Sequence, residues 1–161
     1  MKLLDFIVCD DIRREEGGKF TLVGVYNDKV EFIPLTPEEV KWPQNKQIGV
    51  YCRLVGEKSD FNFEKVVIIF SDNNKEVAIR LEGNIEEQLE QKPKKILVFS
   101  FVFGISIPKP ATLYPKLQFI NDDQVINEIL PGTTLSFIAR ELSTGNKLGT
   151  PSLSPPEKTQ S

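Results

Sequence analysis

The chain contains no histidine. That absence excludes Ser-His-Asp and Cys-His nucleophilic catalysis, HExxH metalloproteases and every imidazole-ligated metal site. Cysteine is almost as scarce. Cys9 and Cys52 lie far apart without a CxxC, which is too few thiols to build a tetrahedral zinc site. Each sits inside an apolar run, where a cysteine behaves as a small buried hydrophobe, so both are expected as free thiols. Neither GxGxxG nor GxxxxGK[ST] occurs, so the usual nucleotide cradles are missing and no cofactor is expected. Long apolar runs are missing too. No window approaches the roughly 18 apolar residues of a membrane span, and the opening MKLLDFIVCDD lacks the apolar core and cleavage site of a secretory signal. The expectation is a cytoplasmic chain with no membrane partner. An excess of positive charge is lacking as well: 20 Lys and Arg against 23 Asp and Glu leave a net charge of −3. The basic concentrations, Arg13 and Arg14 with Lys92, Lys94 and Lys95, have no aromatic platform interleaved, so no nucleic-acid partner is expected.

What the sequence does contain is period-2 alternation. Its 161 residues suffice for one domain with a core, and eleven phenylalanines suit a packed sheet interior. Residues 4–12 and 19–26 are strand-like runs flanking Gly17 and Gly18, a hairpin signature, and both faces are apolar, which predicts a central place in the sheet. Further strands follow over residues 30–33, 47–54, 65–71, 76–82, 96–107, 113–120, 124–130 and 134–140. Leu97, Phe99, Phe101, Phe103 and Ile105 form the longest inward stripe. Pro115 cannot donate to a ladder, so its strand is expected at an edge or kinked. Thr36, Pro37 and Glu39 carry N-cap chemistry, giving one short helical turn near residues 37–41. The reading is all-β: a two-sheet antiparallel sandwich of about nine or ten strands built from hairpins. Its core is expected to include Phe6, Leu22, Ile69, Ile79, Phe99, Phe101 and Phe119. It occupies residues 1–141. Residues 142–161 hold twelve Ser, Thr, Pro or Gly and are expected to be a disordered tail.

Carboxylates are the remaining reagents. Asp10 and Asp11 are adjacent, so on a strand they point to opposite faces. Asp72-Asn73-Asn74 and Asn121-Asp122-Asp123 offer oxygen ligands on loops, but the same residues are simply good turn formers. Trp42 is the sole tryptophan. It reads either as a plug over the open end of the sandwich or as an anchor for a partner. In the tail, Pro151, Pro155 and Pro156 fall in PSLSPP, an extended segment of the kind aromatic grooves bind.

The opening Phe6-Ile7-Val8, the polar stretch Asp10 to Glu16, Gly18-Lys19, Leu22-Val23-Gly24-Val25-Tyr26 and then Pro34 resembles the N-terminal signature of a family of small bacterial proteins. The shared domain of that family has no assigned activity. The likeness covers mainly residues 6–34. It implies a β-sandwich and supplies no catalytic residue, cofactor or ligand. The functional expectation is therefore a non-enzymatic binding or scaffold module acting through contacts with another protein. The alternative is a carboxylate-dependent enzyme or calcium-dependent binder using the loop Asp residues.

Overall fold

Alternation over two long runs builds the largest strand pair. In β5 (Gln44–Glu57), Ile48, Val50, Cys52 and Leu54 are buried while Tyr51 and Arg53 face the other way. β8 (Lys94–Ile107) pairs with it antiparallel through fourteen partners without a register shift. The computed structural model describes residues 1–34, 40–84 and 94–140. Among these lie nine more strands: β1 (Lys2–Cys9), β2 (Asp11–Arg14), β3 (Phe20–Val23), β4 (Lys29–Phe32), β6 (Lys65–Ser71), β7 (Val77–Asn84), β9 (Ala111–Asn121), β10 (Gln124–Ile129) and β11 (Leu135–Ala139). Two 3-10 turns, Glu16–Gly18 and Lys58–Phe61, are the only helical elements among the described residues. The helical turn expected near residues 37–41 centres on residues outside those described, and the tail 142–161 lies wholly outside them.

The strands form a three-stranded sheet, β1-β5-β8, a six-stranded sheet, β4-β11-β9-β6-β7 with β10 beside β9, and a ribbon, β2-β3. One apolar cluster draws on both larger sheets. Val8, Val50, Cys52 and Leu54 come from the first; Val66, Ile68, Phe70, Leu117, Phe119 and Phe137 come from the second. Phe6 of β1 meets Phe70 of β6 with ring centroids 6.4 Å apart, and a Cβ added at Gly83 of β7 would stand 2.7 Å from Phe101 of β8. β6 is buried on both faces, with Val67 and Ile69 on the side away from this cluster.

Four expectations need correcting. First, the runs 4–12 and 19–26 form a hairpin around Gly17 and Gly18 only in part, and it is not central to a sheet. The run breaks at Asp10, whose N–H turns to Val23 O at 2.9 Å, so β1 pairs with β5 while β2 pairs with β3. Leu4 is the extra residue of a bulge, and this split makes eleven strands of the expected nine or ten. Second, Leu22 lies half-buried on the ribbon, outside the core cluster; of the other predicted core residues, Ile69 and Phe119 are buried and the rest are partly buried. Third, the sheets are not wholly antiparallel, because β11 runs parallel to β4, tied by Ser136 N to Asp28 O at 2.8 Å and Arg140 N to Phe32 O at 3.0 Å. A parallel pair needs a long connection, and most of the chain supplies it. Fourth, Pro115 sits in an inner strand. Asn121 closes the β9–β10 hairpin with Gln124, so odd-numbered β9 residues aim their N–H at the flank shared by β10 and β11. That flank is paired at 111–113 and 117–121, and Pro115 falls in the interval.

Candidate functional site

Where β1 gives way to β2, three ionisable groups converge. Asp10 accepts a hydrogen bond from the Tyr26 hydroxyl and an ion pair from Lys46 Nζ at 2.7 Å, both on Oδ1. Lys46 Nζ also stands 5.8 Å from the centre of the Tyr26 ring. Tyr26 reaches this point because its N–H bonds Val8 O at 2.8 Å, and Lys46 because it opens the inward-facing part of β5. Gly24 is required beside them: its φ is +64°, and a Cβ there would fall 2.1 Å from Asp10 Oδ2. Burial opposes ionisation of Asp10, but the hydrogen bonds from Lys46 and Tyr26 outweigh it and hold the carboxyl below its ordinary value. The bond to Asp10 raises Lys46, and burial followed by Asp10 raises Tyr26. A lysine held protonated is no nucleophile, and its charge is already matched. The cluster is a brace that ties the first strand, the β3–β4 connection and β5 together. Beside it, Asn45, Lys46 and Gln47 with Gly104, Ile105 and Ser106 line a shallow, open depression.

The second candidate is an edge. Among the described residues no strand pairs with β8 on the side away from β5. From Ile96 to Ile107 this strand carries no charge and no proline. Ile96 and Val102 are 62% and 45% exposed on its outer face. On its inner face Leu97, Phe99, Phe101 and Phe103 are only partly buried although they pack on the core. The opposite edge strand of the same sheet, β1, is interrupted by the Leu4 bulge and carries Lys2 and Asp5, the latter 2.5 Å from Arg53.

No protein-family model matches the chain, and no curated protein does. Among solved structures, a glycosyl hydrolase family 2 member from Bacteroides cellulosilyticus is similar over 65% of this chain at 17% identity, with a TM-score of 0.40. The chain spans 15% of the length of that protein.

Among the described residues, those singled out in the sequence are not brought together. Trp42 is partly buried against the core, its ring edge-on to Phe32 at 5.3 Å. Pro151, Pro155 and Pro156 lie outside the described residues. Asp72 Oδ1 accepts the N–H groups of Asn74 and Glu76, each at 2.9 Å, and so closes its own turn. Asp122 and Asp123 hold the left-handed conformation that the β9–β10 turn demands, with φ of 49° and 58°. Among the described residues no three His, Cys, Asp or Glu side chains stand close enough to hold a metal ion, and no helix is long and apolar enough to cross a membrane. Sequence reasoning missed the Asp10–Tyr26–Lys46 brace. Its partners come from separate segments, and the one local signal was glycine two residues before Tyr26.

Proposed function

We infer that the chain folds as a two-sheet β-sandwich and works as a non-enzymatic binding or scaffold module through protein–protein contacts. The shared cluster of the two larger sheets supports the sandwich. The open edge of β8 carries the functional reading. An unpaired, uncharged strand edge is a template on which another chain adds a strand, its main-chain groups supplying affinity and its alternate side chains specificity. The ion pair of Asp10 with Lys46 is consistent with the same reading, since it matches the charge of the lysine that lines the depression.

The test is capture of bound protein from the chain's own cell extract, comparing the natural sequence with Ser100→Lys/Val102→Lys on β8 and with Val125→Lys on β10. All three positions are exposed, so the fold is kept. Loss of the captured protein with the β8 variant and retention with the β10 variant is the expected result. Equal retention by both, or loss by both, removes β8 as the contact.

A further inference from the structure

In the two larger sheets five strands end a sheet or stand beside a single neighbour among the described residues, and four of them carry the features that block strand addition. β1 has its bulge and charges. β4 is four residues long and contains Lys29 and Glu31. β7 carries Arg80 and Glu82 beside a register shift at its start. β10 has a shift between Val125 and Asn127 and carries Glu128. β8 has none of these across twelve residues, and it is the longest of the five. A strand like this, left open, pairs indiscriminately.

We propose that β8 pairs antiparallel with β8 of a second copy of this chain, which joins the two three-stranded sheets into one sheet of order β1-β5-β8-β8-β5-β1. This rests on the reading of β8 as the contact edge and names its occupant. Three observations favour a second copy over an unrelated strand. An occupant must be extended, uncharged and about as long as the edge, and β8 is itself such a strand. Residues directly opposite in an antiparallel ladder share a face, so a two-fold axis near Ser100 sets partly buried aromatics of one copy against those of the other: Phe99 opposite Phe101, and Leu97 opposite Phe103. On the outer face the same axis sets Val98 opposite Val102 and brings Ser100 against its own counterpart. The charges Lys94 and Lys95 stand at one end of β8 in sequence, so the antiparallel arrangement places the two copies' pairs at opposite ends of the ladder.

The test is the mass of the full chain in solution at micromolar concentration. The natural chain is expected at twice 18.3 kDa. Ser100→Lys/Val102→Lys sets like charges against like across the axis and is expected at the single-chain mass, as is Ser100→Glu/Val102→Glu. Mixing the two variants is expected to restore the doubled mass, an outcome that simple damage to the fold does not produce. A natural chain that stays monomeric overturns the proposal. So does a doubled mass that survives in the Lys variant alone, or a mixture that fails to pair. A monomeric natural chain whose captured partner is still lost with the Lys variant overturns the second copy while leaving the contact edge standing.

Discussion

Phe119 and Leu22 occupy equivalent positions in their alternating runs, yet they contribute very differently. Phe119 is fully buried and meets Phe63 with centroids 4.8 Å apart. Phe119→Ala leaves a cavity in close-packed surroundings and is expected to cost about 3–5 kcal/mol in chemical denaturation. Leu22 lies on the ribbon with part of its surface in water, and Leu22→Ala is expected to cost no more than about 1 kcal/mol. Equal losses at the two positions contradict the burial assignment. The brace at Asp10 adds a pH dependence. Its carboxyl is held below the ordinary value, so the folded chain binds that proton less readily than the unfolded one. The stabilisation is complete above about pH 4 and is lost as pH falls through the depressed value. Lys46 and Tyr26 are raised, so their share is complete below about pH 10 and is lost as pH rises. The Asp10 and Lys46 side chains are 40% and 32% exposed, so screening leaves about 0.5–1 kcal/mol. Asp10→Asn is expected to lower the urea midpoint at neutral pH, and the gap to the natural chain is expected to close as the pH falls through the depressed value. A gap that widens in acid contradicts the brace.

At the level of single elements, the ribbon β2-β3 is held on the outer face of the three-stranded sheet by a close approach at Gly49. A Cβ there would stand 2.8 Å from Ile12 Cγ1 and 3.0 Å from Cys9 Sγ. Gly49→Ala therefore forces the ribbon outward and is expected to cost about 1–3 kcal/mol. The same variant reports through a thiol. Cys9 and Cys52 are both free and buried; burial raises both thiols, and for Cys9 it outweighs the lowering effect of the hydrogen bond to the Asp11 carbonyl. In the natural chain both are expected to resist alkylation until denaturant is added, when two thiols titrate. Gly49→Ala should expose Cys9 alone, read as one native-state modification mapped by peptide mass. Modification at Cys52 instead contradicts the placement of the ribbon. Little of this was legible in the sequence. The inward stripe of β8 and the facing of β5 could be read because each strand has one apolar face, and period 2 records that directly. The break at Asp10 could not, because residues 4–12 remain apolar enough to pass for one strand. The parallel pairing of β11 with β4 and the inner place of Pro115 depend on which strands become neighbours, which local patterning does not encode. The open edge of β8 was hidden for the same reason: its residues looked like core, and the missing partner belongs to the topology.

Across the whole molecule, the shared cluster makes the two larger sheets one cooperative unit. Neither buries its apolar face without the other, because Val8, Val50, Cys52 and Leu54 pack in the same cluster as Val66, Phe70, Phe119 and Phe137. Trp42, the sole tryptophan, rests on Phe32 at the margin of that cluster and so reports its loss. Its fluorescence and the far-ultraviolet circular dichroism are expected to change at the same denaturant concentration, as a two-state domain requires. Tryptophan exposure ahead of the loss of strand signal contradicts a single core. Pairing through β8 adds a dependence that the core alone does not create. Two folded chains that associate are favoured over unfolded monomers by mass action, so the melting temperature must rise with protein concentration. The natural chain is expected to show that rise. Ser100→Lys/Val102→Lys, with the same core and no partner across the edge, is expected to melt at one temperature whatever its concentration. If both chains melt independently of concentration, the stability resides wholly within one copy and β8 is not paired in solution.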